Sequence, residues 1–397
     1  MGNTTHVLVV ALAVAGVASA EDDLPAALEK MLVEVSFSNA YVGLELSVVN
    51  ASGARINSRA GFACLSPPCY PAEPVDNESH SVFCFGSATK MLTAISVLRA
   101  VEQGQLELDA LAEPLIDRFL TAASSNVSLR ERLGPEVANV TVRHLLSMRS
   151  GVPDYDTSYS REWQLEHPSV DQDPLMILDK FVTPGFSCAP GTCGEYSTTN
   201  FVLLGLLLAG IHGVQHWEDL DQLAILPPAA PPLLSHSAFP VHGVCGTVDR
   251  MVHGLTFNAY GFPLDTFALS CTNGWTGGNW AGTTADAASL VWALWGSARL
   301  LRSKDADLMR HMTPLDSGTW GVGLPYGLGT MDLGSQLPGS FKRPIGTYIG
   351  HGGETYGFNS YVGFIPSLNV SLAVVANQEN LLAVAEATAG ALSLLGA

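Results

Sequence analysis

Charge is scarce in this sequence. Of its 397 residues 14% are Asp, Glu, Lys or Arg, and only five are lysines. Acidic side chains outnumber basic ones 37 to 19, giving a formal charge of −18. A surface of that sign repels nucleic acid and anionic membranes, so neither is expected as a partner. Internal repeats and low-complexity tracts are absent too, which excludes solenoids and linker-rich chains. With 47% hydrophobic residues, general disorder is excluded. No cysteine–histidine spacing resembles a zinc site. His212 and His216 stand four apart, but Gly213 follows the first where an HExxH protease has Glu.

Cysteine is also sparse, and odd in number: seven, at 64, 69, 84, 188, 193, 245 and 271. The most local scheme pairs Cys64 with Cys69, Cys188 with Cys193 and Cys245 with Cys271, although spacing alone does not fix connectivity. That scheme leaves Cys84 as a buried structural thiol in an apolar setting. Disulfides imply an oxidising compartment, and the N-terminus agrees. Residues 1–20 carry an apolar run from Val7 to Val17, then Ala-Ser-Ala before an acidic start. This is the pattern of a secretory signal peptide cleaved after Ala20, though its first residues lack Lys and Arg. Five Asn-x-Ser/Thr sequons, at Asn50, Asn77, Asn126, Asn139 and Asn369, are glycosylation candidates of an exported protein.

What remains, residues 21–397, is long enough for a large core. "LPAALEKMLVEV" reads as a helix, and "AYVGLELSVVN" and the segment around "SVFCFG" as strands. From Ser87 to about Ala298 the pattern is helical with Gly/Pro-rich connections. Strands then return at "YGLGTMDL", "GTYIGHGG", "NSYVGFIPS" and "VSLAVVANQ". The expectation is an α+β fold: one sheet lobe from residues 21–86 and 315–397, with a mostly helical lobe, residues 87–314, inserted and a cleft between them. The tail "LLAVAEATAGALSLLGA" contains Glu386 and reads as a helix packed on the sheet rather than a lipid-anchor signal.

One of the five lysines stands in an unexpected place. In "FGSATKMLTAISVLRAVEQGQ", residues 85–105, Thr89, Thr93, Ser96 and Gln103 form a narrow polar stripe, with Arg99 beside it. Lys90 instead lines up with Ala94, Val97 and Val101 on the apolar side. Ser87 falls in the N-terminal turn, one turn before Lys90, and Gly104 is placed to end the helix. Taken alone, this is a capping serine and a lysine whose stem covers apolar surface. The rest of the chain changes that reading. Ser87-Ala-Thr-Lys90 is followed by Tyr196-Ser-Thr198 and then by His351-Gly352-Gly353.

This order resembles the SxxK, Y-x-N, K/H-x-G pattern of the β-lactamase and penicillin-binding-protein-like serine hydrolases. The similarity is greatest to the branch of class C β-lactamases, D-alanyl-D-alanine carboxypeptidases and serine esterases. Further stretches resemble that family in family order, among them "VTVRHLLSMRSGVPDY", "PGTCGEYSTTNFVLLG" and "AGTTADAASLVWAL". The resemblance implies an acyl-enzyme on Ser87. Either Lys90, its ammonium disfavoured by burial, or a Tyr196 phenolate favoured by a charged Lys90, is the base. By the same resemblance, the N–H groups of Ser87 and Glu354 receive the developing oxyanion. Gly352 and Gly353 let the strand approach, and His351 polarises the substrate. No metal or organic cofactor is implied, and the partner is a small-molecule or peptide substrate; the oligomeric state is not legible.

Two departures bear on that substrate. Thr198 replaces the family's Asn, and keeps a hydroxyl able to bond Lys90 but lacks the amide. Glu354 puts a carboxylate where a small residue is usual, which opposes an anionic substrate, and His351 in place of Lys weakens carboxylate recognition further. The expected activity is therefore hydrolysis of an ester or amide without a required anionic group. The alternatives are a D-alanyl-type carboxypeptidase or β-lactamase, or an inactive binding or self-assembling member of the fold.

Overall fold

The computed structural model describes residues 24–40, 42–64, 73–75, 80–125, 127–257, 263–318, 320–379 and 381–397. Residues 1–20, Cys69, Asn77 and Asn126 lie outside them.

An eight-stranded antiparallel sheet draws its strands from both ends of the chain. From the N-terminal side come β1 (Leu44–Val49) and β2 (Arg55–Ala60). From the C-terminal side come β3 (Thr313–Pro314), β4 (Pro325–Tyr326), β5 (Met331–Asp332), β6 (Ile349–Thr355), β7 (Phe358–Ile365) and β8 (Val370–Ala376). The spatial order is β2-β1-β8-β7-β6-β5-β4-β3, so the first hairpin joins the last strand. This is the expected α+β arrangement. One expected strand differs: Phe83–Cys84 pairs not with this sheet but with Ala281–Gly282.

Every residue of β1, β7 and β8 is buried, because the sheet is covered on both faces. Helices α1 (Leu24–Ser38) and α6 (Leu381–Leu395) pack on one face, the latter formed by the apolar tail. Helix α5 (Thr284–Val291) lies on the other. The alternation of β1 explains its odd composition. Leu44, Leu46 and Val48 face one way, while Ser47 and Glu45 face α5 and bond Thr284 there, at 2.7 and 2.6 Å from its hydroxyl. Burial raises the Glu45 carboxyl above its usual range.

Helices α2 (Thr89–Glu102), α3 (Glu113–Ala122) and α4 (Thr199–His212) form the core of the inserted segment. In α2 the polar stripe is not solvated, as Thr89, Thr93 and Ser96 are all buried. Thr89 and Ser96 donate locally to Gly86 O and Leu92 O, while Thr93 donates to Thr276 O and Thr89 accepts from Trp280 N, so Thr89 and Thr93 dock the loop at 275–280. Gly104 ends α2 with the positive φ expected of it.

Two disulfides match the local scheme, Cys188–Cys193 and Cys245–Cys271, and Cys64 is disulfide-bonded too. Cys84 is free and buried, 3.8 Å from Cys271 Sγ, and burial pushes its thiol up to about 12. Among the sequons, Asn139 is exposed, and Asn50 and Asn369 sit half-buried in turns beside strands. Among the described residues no helix is long and apolar enough to cross a membrane.

The sheet meets the helical segment where β6 runs beside the turn Gly86–Ala88. Strand β5 pairs with β6 only at Ile349 and Gly350, which leaves the stretch from His351 onward for that turn. The approach is backbone to backbone: a Cβ at Gly353 would overlap the carbonyl oxygen of Phe85, and one at Gly86 would lie 2.9 Å from Glu354 O. A Cβ at Gly352 meets only side chains, chiefly Trp320 at 2.7 Å. Gly353→Ala is therefore expected to lower stability by about 1–3 kcal/mol. Gly352→Ala, where a half-buried ring can shift, should cost less. Paired denaturant melts check this, and equal losses would contradict it.

Candidate active site

Ser87 lies in the Gly86–Ala88 turn, half-buried and immediately before α2. The turn is pinned from two sides and bends at a glycine. Ser360 Oγ donates to Phe85 O, Trp280 N donates to Thr89 Oγ1, and Gly86 adopts φ 50°. Lys90 follows one turn later with no solvent exposure. Its Nζ is 2.8 Å from Ser87 Oγ and 2.8 Å from Gly277 O. The rings of Tyr196 and Phe201 wall the amine, their centroids 5.3 and 5.7 Å away. Burial pulls Lys90 well below the ordinary lysine range, against the opposing pull of Asp154 and Asp156.

Tyr196 arrives from the segment before α4, its backbone N–H donating to Ser317 O. Trp320, Tyr326 and His351 stand around its ring at 6.3, 5.9 and 6.1 Å between centroids. Its hydroxyl is buried and has no hydrogen-bond partner of ordinary geometry among the described residues. Burial pushes the phenol far up. Ser87 and Trp320 are near enough to favour the phenolate, but do not offset the burial.

The other expected residues are placed less uniformly. Glu354 is exposed and lines the cleft with Ser87, as its position next to the Gly pair implies. Thr198 also lines the cleft, but Lys90 bonds Gly277 O in place of its hydroxyl. Thr198 instead donates its backbone N–H to Asp154 Oδ1 at 2.9 Å. Asn200 points away, bonded to Ser150 and Met148, and does not replace the missing amide. His351 stands behind Tyr196 and does not line the cleft. Its Nδ1 is 2.5 Å from Gly352 O and its Nε2 3.0 Å from Tyr326 OH. Since a carbonyl only accepts, Nδ1 carries the proton and Nε2 accepts from Tyr326. Burial first, then the Lys90 charge, bring the imidazole down to about 3, so it stays neutral. Its place is to support the tyrosines rather than to touch substrate.

Sequence reasoning missed three contributors. The first is Gly277, in "TNGWTGGNW". Its carbonyl reaches Lys90 from a loop in which Asn273, Gly274 and Trp275 all have positive φ, at 37°, 75° and 50°. Thr93 on α2 and Phe201 on α4 hold that loop through Thr276. The run of turn residues was a signal for an unusual backbone, but not for its target. The second is Asp154, in "SGVPDYD", half-buried and accepting the N–H groups of Thr198 and Asp156 on one oxygen; desolvation raises its carboxyl. The third is the Asp156–Arg161 pair, which lines the cleft. Short loop carboxylates carry no periodicity to flag them.

A family model described as Beta-lactamase matches residues 43–396. Among curated proteins the chain is similar to penicillin-binding protein 4* of Bacillus subtilis (strain 168), 28% identical over 152 residues, 38% of this chain and 30% of that protein. It is likewise similar to penicillin-binding protein 4 of Amycolatopsis lactamdurans, 29% identical over 140 residues, 35% and 32% of the two chains. The matched region thus spans about a third of each relative's length. Solved structures share the fold. The D-amino acid amidase from Ochrobactrum anthropi SV3, complexed with L-phenylalanine amide, has a TM-score of 0.72 at 22% identity, over 94% of this chain and 99% of that one. The octameric penicillin-binding protein homologue from Pyrococcus abyssi has a TM-score of 0.68 at 21% identity, over 93% and 77%. The family match spans the sheet, the inserted segment and every residue of the Ser87 site, and this chain belongs to the Beta-lactamase family of serine hydrolases.

Proposed function

We propose that this chain is a secreted, glycosylated serine hydrolase that opens an ester or amide through an acyl-enzyme on Ser87, with Lys90 as the base. The observation that carries this reading is the pair of contacts at Lys90 Nζ. Gly277 O can only accept, so Nζ donates an N–H there. A neutral amine then directs its lone pair to the Ser87 hydroxyl and takes its proton as Oγ attacks the acyl carbon. A charged amine has no lone pair and would need Tyr196 to be the base. The deep burial that pushes the Tyr196 phenol up argues against a phenolate and suits it instead to protonate the leaving group.

The backbone N–H groups of Ser87 and Glu354 are the assigned donors to the oxyanion, at a place where losing one donor typically costs on the order of 10² to 10³ in rate. Lys90 passes the Ser87 proton to Tyr196 as the leaving group departs; in the second half the pair takes a proton from the attacking water and returns one to Ser87 Oγ as the acid product is released. The cleft disfavours anionic substrates such as penicillins, because Glu354 stands beside Ser87 and Arg161 is already bonded to Asp156. Export rests on the signal-like residues 1–20 and the sequons, of which Asn139 is exposed.

A fluorophosphonate probe is expected to label the native protein and to lose all labelling in Ser87→Ala. Native protein that takes no label would favour an inert binding member of the fold. The second test is the pH dependence of kcat/KM. Activity is expected to rise with pH as the Lys90 ammonium loses its proton, with a midpoint far below the usual lysine range. Lys90→Met should lower the rate by about 10² to 10⁴ and remove that limb. A limb that survives the substitution would assign the base elsewhere.

A further inference from the structure

Two adjoining hollows open beside Ser87, one of about 190 Å³ and one of about 70 Å³. Their charge is lopsided. Among the described residues lining them, Asp156, Glu354 and Glu379 are acidic and Arg161 alone is basic. Arg161 is committed to Asp156, Nε to Oδ1 at 2.8 Å and Nη2 to Oδ2 at 3.1 Å. Among the described residues neither Glu354 nor Glu379 has an ion pair, and the nearby Arg161 charge, which reaches both, is shared among three carboxylates. Glu379 is half-buried, with one oxygen accepting from Thr256 Oγ1. Its carboxyl is raised by burial first, and the charge of Glu354 adds to the shift, so the two repel across the cleft.

A second observation is independent of the carboxylates. Tyr361 lines the larger hollow, and its buried hydroxyl has no hydrogen-bond partner among the described residues. A buried phenol left unpaired inside a catalytic cleft is a group awaiting a ligand. Its oxygen accepts an N–H as readily as it donates. The backbone of Glu354 packs on Gly86, the residue before the nucleophile, so its side chain starts next to the reacting carbonyl. The hollow is smaller than the usual range of ligand sites, about 300–1,000 Å³, which favours an acyl group of amino-acid size.

Building on the acyl-enzyme reading above, we propose that this cleft recognises a free primary ammonium on the carbon beside the scissile carbonyl, held by Glu354 and the Tyr361 hydroxyl in the larger hollow, with Glu379 adding negative charge from the adjoining one. The substrates are then esters and amides of unblocked amino acids. N-acylated and anionic compounds are selected against by the same carboxylates.

Matched 4-nitroanilides of D- and L-amino acids test this, with the amine free, N-acetylated or N-succinylated, and with nitrocefin as a further anionic compound. The free amine is expected to be preferred over the N-acetyl form by at least about tenfold in kcat/KM, mainly through KM. The N-succinyl form and nitrocefin should be slowest. Glu354→Gln should reduce the preference about tenfold, and added salt should weaken it by screening. Equal or faster turnover of the N-acetyl or N-succinyl compounds, by protein that fluorophosphonate labels at Ser87, would overturn the ammonium site and leave the hydrolase reading standing. Calorimetry on Ser87→Ala keeps the test independent of turnover. The amino acid amide should bind more tightly than its N-acetyl form, and equal binding would overturn the proposal.

Discussion

An amine kept out of water beside a serine is the constraint that the rest of this structure serves. Lys90 has no exposed surface, and among the described residues no carboxylate lies within ion-pair distance of it. A buried ammonium without a close partner costs several kcal/mol, and the molecule avoids that cost by favouring the neutral form. Two aromatic rings exclude solvent, and Gly277 O takes one N–H. The remaining contact of the nitrogen is the Ser87 hydroxyl. Burial thus leaves the amine a lone pair, which is what the proposed role of Lys90 as base requires.

Holding that arrangement requires backbone in uncommon conformations. Gly277 is delivered by a loop with three successive residues at positive φ, two of them not glycine, each costing of order 1–3 kcal/mol. Helices α2 and α4 hold the loop through Thr93, Thr276 and Phe201. On the opposite side, β6 reaches the Ser87 turn only because Gly353 leaves room for Phe85 O. Asp154 holds the backbone of Thr198, and His351 with Tyr326 backs the Tyr196 ring. The cleft sits at the junction of these pieces, so the sheet and the inserted segment each bring part of it.

Much of this was legible in the sequence, and the limits have physical causes. The strands from Ile349 onward and helix α2 read correctly because side-chain periodicity records burial directly. Ser87, Lys90, Tyr196 and Glu354 were found because they occur in short motifs, and the structure brings them together. Residues that act through backbone atoms were not visible: Gly277 contributes a carbonyl that any residue possesses. Thr198 was expected to bond Lys90 through its hydroxyl, but the Gly277 carbonyl occupies that contact. His351 was expected to face substrate, whereas its two nitrogens are used within the protein, which only the fold around Tyr326 determines. Phe83–Cys84 has the composition of a sheet strand yet pairs locally, since partner choice is not encoded in a two-residue segment.

The central claim is that Lys90 is neutral at the pH where the enzyme works. With five lysines in the chain, selective ¹⁵N labelling gives five side-chain nitrogen signals, and Lys90→Met identifies the one of interest. Titration of that signal by nuclear magnetic resonance reads its protonation directly. The account predicts a midpoint far below that of the other four lysines. A Lys90 signal that titrates with the other lysines would show a charged amine beside Ser87 and contradict it.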